Sequence, residues 1–461
     1  MAYDYDLLVL GSGPAGQRAA VQAAKLGKRV AIVERHRMIG GVCLHTGTVP
    51  SKTFREAVLA LMAAPRLDHG VPVERPRPSM PDLIHRVNGV IERELDVVAR
   101  QLSRNNVDLI TGSARFLDPH TIAIDGQSLE RQSTAEHILI ACGSVPSAPP
   151  VPNDHETILT SDDIILMERL PRSLAVIGGG VIGIEYASMF AELGVEVTLI
   201  DRHDLPLDFC DREIVDELIH QMRLKRVTFR LGEAVKKITG LENPKRAEIE
   251  LESGKLVVVD AALFSIGRVG ATAGLDLDKA GVNCDERGRL KVNEKMQTEV
   301  AHISAAGDVI GFPALASTSS EQGRLAVCAM FGVESNPSNA TFPYGIYAIP
   351  EIAMVGATER ELTEKKVPYE VGVARYAEIA RGQILGDDSG LFKMIFHRET
   401  RKLLGVHCIG THATELIHIG QAVLALGGGL DYFLDAVFNY PTLAECYKVA
   451  AYNASNRMRS T

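Results

Sequence analysis

The sequence predicts an α/β protein with two parallel-sheet βαβ units and a C-terminal α+β module. Three observations support this fold class. An apolar stretch at residues 4–10 runs into a glycine-rich turn, and the same arrangement recurs at residues 173–183. From Phe342 onward, apolar strand-like segments and a helical C-terminus replace the βαβ pattern. With 461 residues, the chain is long enough for about three domains.

The first βαβ unit carries a G-x-G-x-x-G motif at Gly11, Gly13 and Gly16. A helical stretch to about Lys25 follows, and a second strand ends in Glu34. Glycines in such a turn let the backbone close on a pyrophosphate, whose charge the helix N-terminus stabilises, and the acid accepts a hydrogen bond from a ribose hydroxyl. This unit is therefore typical of a Rossmann-like dinucleotide-binding domain.

The second unit repeats this arrangement with Gly178, Gly180 and Gly183, and its acid is Asp201. In both units the acid follows the last glycine by eighteen positions. Two dinucleotide sites in one chain favour a flavin, FAD, together with a nicotinamide cofactor, NAD or NADP. The sequence thus predicts an oxidoreductase that contains two Rossmann-like domains.

Composition argues against several kinds of partner. The chain has 49 basic and 58 acidic residues, a net charge of −9, so we expect neither nucleic acid nor an anionic membrane as partner. Its seven cysteines are scattered without a C-x-x-C pattern, which is typical of reduced cytoplasmic thiols and indicates no metal site. The longest apolar stretches are shorter than the ~20 residues of a membrane helix. We therefore expect a cytoplasmic protein.

The segment GGVCLHTGTVPSK at residues 40–52 resembles the redox-active segment of the flavoprotein disulfide reductases, the class I pyridine nucleotide-disulfide oxidoreductases. The resemblance covers essentially the whole chain, including both glycine motifs, residues 140–144, AAGD at 305–308 and YPTLAE at 440–445.

This resemblance implies a domain organisation and an assembly. Residues 1–152 and 271–341 would form a discontinuous FAD-binding domain, and residues 153–270 the NAD(P)-binding domain. Residues 342–461 would form an interface domain that makes a homodimer.

Two positions depart from the family pattern. Cys43 matches the first cysteine of the family, but Thr48 stands where the second, flavin-proximal cysteine would be. Tyr440 replaces the histidine of the HPTxxE motif, whereas Glu445 is retained. A dithiol mechanism needs a thiolate beside the flavin and an acid/base to move protons to the substrate thiol. Because both requirements are lost together, we expect a different chemistry.

This combination resembles the soluble, Si-specific pyridine nucleotide transhydrogenases within the family. It implies hydride transfer between NADPH and NAD⁺ in either direction, in a ping-pong sequence through FAD without a redox disulfide. Two other functions stay open at this stage: an NAD(P)H:quinone or diaphorase-type reductase, and a flavin-binding regulatory protein with little turnover.

The resemblance also implies site residues. Lys52 matches the family lysine beside the flavin and would pair with Glu185, the alternative being a structural ion pair. The candidate catalytic residues are Lys52, Glu185, Thr48, Tyr440 and Glu445. The candidate residues for binding FAD or the nicotinamide nucleotide are Gly11, Gly13, Gly16, Glu34, Gly41, Val42, Cys43, Lys52, Ala114, Cys142, Gly143, Ser144, Gly178, Gly180, Gly183, Glu185, Asp201, Arg202, Gly267, Asp308 and Ala316. Glu34 is expected at the adenosine ribose of FAD and Asp308 at its ribityl chain.

Several roles have alternatives. Cys43 is either a small buried filler or a functional thiol, and Tyr440 either packs at the dimer interface or has a proton-handling or gating role. Glu445, without its histidine partner, is expected to be structural. Asp201 favours NAD, whereas Arg202 or His203 could accept the 2′-phosphate of NADP.

Overall fold

The computed structural model of the chain describes residues 3–35, 39–62, 67–68, 71–72, 78–126, 130–243, 245–335 and 342–459. The N-terminal elements are β1 (Tyr5–Leu10), α1 (Pro14–Lys25), β2 (Val30–Glu34), α2 (Gly41–His45), α3 (Thr48–Met62), β3 (Leu67–Asp68), β4 (Val71–Pro72), α4 (Met80–Ser103), β5 (Asp108–Thr111), β6 (Ser113–Asp118), β7 (Thr121–Asp125), β8 (Glu130–Ile140) and β9 (Ser144–Pro146).

The central elements are β10 (Ile158–Thr160), β11 (Ser173–Ile177), α5 (Val181–Glu192), β12 (Glu196–Asp201), α6 (Arg212–Leu224), β13 (Thr228–Leu231), β14 (Val235–Glu242), β15 (Lys245–Leu251), β16 (Leu256–Val259), β17 (Ala261–Phe264), β18 (Arg268–Gly270), β19 (Ile303–Ala305) and α7 (Ala316–Met330). The C-terminal elements are β20 (Tyr344–Ile346), β21 (Ile352–Gly356), α8 (Glu359–Glu364), β22 (Tyr369–Arg375), α9 (Ala380–Leu385), β23 (Leu391–His397), β24 (Leu403–Ile409), α10 (Ala413–Ala425), α11 (Leu430–Asp435) and α12 (Glu445–Arg459).

The first sheet has the strand order β5–β2–β1–β8–β7–β6, and β19 pairs with β8. The pairs β5–β2, β2–β1, β1–β8 and β8–β19 are parallel, whereas β8–β7 and β7–β6 are antiparallel. Apolar side chains of β1 and β2 are buried on both faces, as expected for a parallel sheet covered on both sides. Helices α1 and α7 pack closely because Gly323 has no Cβ, which would clash with the Ala15 carbonyl oxygen.

The second sheet consists of five parallel strands in the order β10–β17–β11–β12–β13. Helix α5 lies in its core and is buried from Gly183 through Ala191, which explains its largely apolar sequence. The antiparallel strands β14–β15–β16 form a separate sheet, whose apolar side chains join those of the parallel strands in one core.

The third large sheet is antiparallel, with the order β20–β21–β24–β23–β22. It packs against α10, α11 and α12 around the buried aromatic rings of Phe392, Phe433 and Tyr447. Two parallel, Rossmann-like sheets and one α+β layer confirm the predicted fold class. Among the described helices, none combines the length and apolarity needed to cross a membrane.

Candidate active site

A cavity of about 1840 Å³ opens between the three large sheets. Its wall combines the carboxyl ends of β1 and β8 with the first turns of α1, α3 and α5, and with residues of β20 and α10. Ligands of parallel α/β sheets bind outside the carboxyl ends of the strands. Since pockets for drug-sized ligands measure roughly 300–1,000 Å³, this cavity has room for a ligand larger than a single drug-sized molecule, such as a dinucleotide.

The first glycine motif forms the tight turn between β1 and α1. Gly11 has a φ of +108°, and a Cβ there would clash with the Ala141 carbonyl oxygen at the end of β8. A Cβ on Gly16 would clash with the Gly11 carbonyl oxygen, whereas a Cβ on Gly13 would meet nothing within 4 Å. Two of the glycines are therefore required by the fold, and the third leaves its space open to a ligand at the start of α1.

Glu34, at the end of β2, is held against this turn. Its Oε2 accepts hydrogen bonds from the Ser12 backbone N–H (3.0 Å) and hydroxyl (2.6 Å). The Ser12 hydroxyl also accepts from the Gly40 N–H at 2.9 Å. A Cβ on Gly41 would lie 3.0 Å from the Gly13 Cα. The predicted ribose-binding acid, the glycine turn and the start of α2 thus form one rigid unit.

Cys43 and Thr48 lie in the cavity wall, on α2 and at the start of α3. Burial raises the pKa of the Cys43 thiol, and the nearby Thr48 side chain offsets part of that effect. A hydroxyl cannot form a disulfide and stays protonated at neutral pH. The pair therefore occupies the place of a redox dithiol without being able to store electrons.

Lys52 lies one turn further along α3 and reaches α5. Its Nζ donates to both Glu185 carboxylate oxygens, at 2.9 and 2.7 Å. The Lys52 side chain is 27% exposed and that of Glu185 only 4%, so the ammonium faces the cavity and the carboxylate lies behind it. The pair joins the first and second glycine-motif units at the cavity.

Asp308, after β19, lies beside the end of β8. Its Oδ2 accepts a hydrogen bond from the Ser144 hydroxyl at 2.9 Å. Arg268 donates to that hydroxyl (2.9 Å) and to the Ser144 carbonyl oxygen (2.9 Å), and forms an ion pair with Asp162 at 3.3 Å. Sequence reasoning missed Arg268. The only signal was its place directly after the small-residue turn that closes β17.

The second glycine motif repeats the geometry of the first. Gly178 has a φ of +109°, and a Cβ on Gly183 would clash with the Gly178 carbonyl oxygen, while Gly180 again has open space. Asp201 accepts hydrogen bonds from the Gly179 N–H, and from the His203 N–H and Nδ1, both at 2.8 Å. Arg202 beside it is exposed.

The structure brings most of the predicted residues to the cavity, but not all of them. Those in its wall are Gly11, Gly13, Glu34, Gly41, Val42, Cys43, Thr48, Lys52, Ala114, Cys142, Gly143, Ser144, Glu185, Asp308 and Ala316. The remaining predicted residues do not line the cavity; they are Gly16, Gly178, Gly180, Gly183, Asp201, Arg202, Gly267, Tyr440 and Glu445.

Tyr440 and Glu445 lie away from the cavity within one chain. The Tyr440 side chain is 70% exposed, and Glu445 Oε1 accepts a hydrogen bond from the Thr442 N–H at 3.1 Å. A single chain therefore does not place these two side chains beside Lys52.

Two family models match the chain. The pyridine nucleotide-disulphide oxidoreductase model matches residues 5–323, and the dimerisation domain of the same family matches residues 342–451. The chain thus belongs to the pyridine nucleotide-disulphide oxidoreductases, and it is an oxidoreductase that uses FAD together with NAD(P). The dimerisation domain also confirms the prediction of a homodimer.

Individual relatives are more specific. The chain is 51% identical over 463 residues to the soluble pyridine nucleotide transhydrogenase of Mycobacterium bovis (strain BCG / Pasteur 1173P2), covering 99% of this chain and 98% of the relative. It is 43% identical over 467 residues to the protein of that name from Escherichia coli (strain SMS-3-5 / SECEC), covering 99% of each. Among solved structures, it resembles the HOCl-induced flavoprotein disulfide reductase RclA from Escherichia coli, with a TM-score of 0.88, 28% identity and coverage of 97% and 99%.

Proposed function

We propose that this enzyme catalyses hydride transfer between NADPH and NAD⁺, NADPH + NAD⁺ = NADP⁺ + NADH, without a redox disulfide. The observation that carries the proposal is the Cys43–Thr48 pair, which replaces a dithiol in the cavity wall directly before Lys52. When bound, FAD would supply the chemistry of hydride transfer between the two nicotinamide nucleotides. The full-length relatives named soluble pyridine nucleotide transhydrogenase support the same reaction.

The cradle around the first glycine motif fits FAD. Gly13 leaves open space at the start of α1, where the backbone N–H groups and the helix dipole favour a pyrophosphate. Glu34 would accept from the adenosine ribose and Asp308 from the ribityl chain. The main chain at Gly41, Val42, Ala114, Gly143 and Ala316 would line the rest of the site. All of these residues lie within 1–152 and 271–341, which would together form the FAD-binding domain.

The nicotinamide nucleotide would bind at the second glycine motif, within residues 153–270. Gly180 leaves space for its pyrophosphate, and Asp201 lies where the adenosine ribose is expected. Arg202 and His203, which directly follow Asp201, are exposed and can bind a 2′-phosphate. One site would then serve NADPH and NAD⁺ in turn, which gives a ping-pong sequence.

The cavity residues suit hydride transfer without proton transfer to a substrate. Exchange between two nicotinamides moves no proton to a thiol, so the acid/base histidine of a disulfide reductase is not needed. The Lys52 ammonium, fixed by Glu185, would stabilise negative charge that develops in the cavity during reduction. Tyr440 and Glu445 would act from the interface domain, residues 342–461, as structural or gating residues of the homodimer.

The proposed location is the cytoplasm. The seven cysteines are all free thiols in the structure, which suits a reducing compartment. The relatives are named soluble transhydrogenases.

The test is a steady-state assay of the purified protein with NADPH as donor and thionicotinamide-NAD⁺ as acceptor. We expect turnover and parallel double-reciprocal lines, because one site binds both nucleotides alternately. Lipoamide, oxidised glutathione and quinones serve as comparison acceptors. Faster turnover with a quinone, or appreciable lipoamide reduction, would contradict the proposal.

A further inference from the structure

Tyr347, directly after β20, contacts both members of the Lys52–Glu185 pair. Its backbone N–H donates to Glu185 Oε1 at 2.8 Å. The Lys52 Nζ lies 4.9 Å from the centroid of its ring, within the distance of a cation–π interaction. The same residue therefore binds the carboxylate through its main chain and the ammonium through its side chain.

Hydrogen bonds with helices α3 and α5 hold the segment 347–351, which carries this ring. Arg55, on α3 one turn after Lys52, donates to the Ala348 carbonyl oxygen (3.0 Å) and to Glu351 (3.0 Å), and both charged residues are buried. The Ile349 N–H donates to the Ser188 hydroxyl of α5 at 3.0 Å. The backbone of the segment is thus held between α3 and α5.

At its far end the ring is partly buried against α10. Burial raises the pKa of the Tyr347 hydroxyl, and the nearby Thr414 side chain acts in the opposite direction. Thr414 in turn donates to Glu351 through its N–H and hydroxyl, at 3.2 and 2.8 Å. Since the backbone of the segment is fixed and the ring is partly buried, the face of the ring has little freedom to leave the ammonium.

We propose that Tyr347 is a positioning residue of this enzyme, which holds the Lys52 ammonium against Glu185 and towards the flavin side of the cavity. The Lys52 side chain is 27% exposed, and an ammonium on a four-carbon stem is strongly hydrated and mobile. The aromatic face replaces part of that hydration with a fixed partner. This inference rests on FAD binding in the cavity, as the proposed function does, and it adds a residue that neither the motifs nor the family match assigned.

The experiment measures the two-electron midpoint potential of bound FAD by equilibration with a reference dye, without any nicotinamide nucleotide. In Tyr347→Leu we expect a shift to more negative potential of about 30 mV, which corresponds to a tenfold change in the equilibrium constant of a two-electron couple. A fixed cation favours the anionic reduced flavin, and a mobile one favours it less. Tyr347→Phe keeps the ring and the N–H and should retain the potential of the unmodified protein.

A double-mutant comparison separates positioning from general structural damage. If Tyr347 acts through Lys52, adding Tyr347→Leu to Lys52→Met should not change the potential further. Tyr432→Leu makes the same chemical change on α11, outside the cavity wall, where the ring packs on Phe433 with centroids 5.2 Å apart, and should leave the potential unchanged. Should Tyr347→Leu not fold, Tyr347→Trp provides a second test, because it keeps an aromatic face and should keep the potential.

The proposal is wrong if Tyr347→Leu has the unmodified potential, or if its shift persists in the Lys52→Met background. An equal shift in Tyr347→Phe would also overturn it, since that would assign the effect to the hydroxyl. Because no nicotinamide is present, these outcomes are independent of whether NAD⁺ is the acceptor, which the steady-state assay decides.

Discussion

At the scale of single residues, threonine in place of a cysteine at position 48 decides the chemistry. Cys43 keeps a thiol whose pKa is raised by burial, and its neighbour Thr48 has only a hydroxyl. A thiol that stays protonated is a poor nucleophile and cannot pair with a hydroxyl. The flavin is therefore the sole two-electron store at this position.

Anaerobic dithionite titration should bleach the flavin with two electrons per FAD. No long-wavelength charge-transfer band is expected on the way, since no thiolate lies in the flavin-proximal position. Absorbance spectra recorded during the titration check both points. Uptake of four electrons would contradict the assignment of Thr48. Thr48→Cys is the matched variant, and it should take up additional electrons if a disulfide with Cys43 forms.

Nucleotide preference is also decided by a few side chains. Asp201, whose side chain is 10% exposed, accepts hydrogen bonds from the Gly179 N–H and from His203, while the neighbouring Arg202 is exposed. An acid already bound by its neighbours opposes a 2′-phosphate less than an unpaired carboxylate does, and a guanidinium attracts it.

Arg202→Glu should raise the KM for NADPH on the order of tenfold and leave the KM for NADH nearly unchanged, as expected for loss of one charge-assisted hydrogen bond. Initial rates with each donor measure the effect. Arg169→Glu makes the same charge change at an exposed arginine paired with Glu156 and serves as the control. Equal effects on both donors would show that Arg202 does not contact the 2′-phosphate.

At the scale of elements, each glycine motif combines positions required by folding with a position open to the ligand. A Cβ on Gly183 would clash with the backbone at the end of β11, whereas one on Gly180 would meet nothing within 4 Å. Gly180 also has an ordinary backbone φ of −74°, so alanine fits there without strain.

We therefore expect Gly183→Ala to lower the stability of the protein and Gly180→Ala to weaken nucleotide binding. The first overpacks the turn between strand and helix and should lower the unfolding free energy by about 1–3 kcal/mol. The second should leave stability unchanged and raise the KM of both nicotinamide nucleotides, because its methyl group enters the space for the pyrophosphate. Thermal unfolding and initial rates distinguish the two. A destabilised Gly180→Ala would contradict this division of roles.

At the scale of the whole molecule, a charge cluster around a buried lysine joins the second sheet unit to the C-terminal sheet. Lys393, on β23 and 1% exposed, forms ion pairs with Asp211 (3.0 Å), Glu213 (2.7 Å) and Glu359. The three carboxylates lie within reach of one metal ion, but the ammonium occupies their centre. His407 lies opposite Lys393 on β24 and is fully buried.

This cluster predicts a loss of stability in mild acid. Burial lowers the pKa of His407 in the folded protein, with Asp211, Lys393 and Glu359 around it. The unfolded imidazole titrates near its ordinary pKa of about 6.5. The unfolded state therefore binds the proton first, so the stabilisation is present above about pH 6.5 and is lost progressively as the pH falls below that value towards the lower pKa of the folded state. The loss should reach about 1.4 kcal/mol per pH unit for each such histidine.

Urea unfolding at pH 7.5, 6.5 and 5.5 measures this dependence. Burial also lowers the pKa of His137 and His302, so the unmodified protein should show the sum of several groups. His407→Gln cannot titrate and should show a slope reduced by about one proton. An unchanged slope in this variant would assign the acid sensitivity to the other histidines.

The sequence by itself determined the features that depend on short stretches of backbone. Glycine spacing, the acid eighteen residues further on and the Thr48 substitution are local, so they predicted two Rossmann-like units, FAD with NAD(P) and the absence of a dithiol. Only the tertiary structure brought together side chains that are distant in the chain. Arg268 lies 124 positions from Ser144, Tyr347 162 from Glu185 and Lys393 182 from Asp211. No periodicity or motif links such pairs, because their contact is set by how the sheets pack around the cavity.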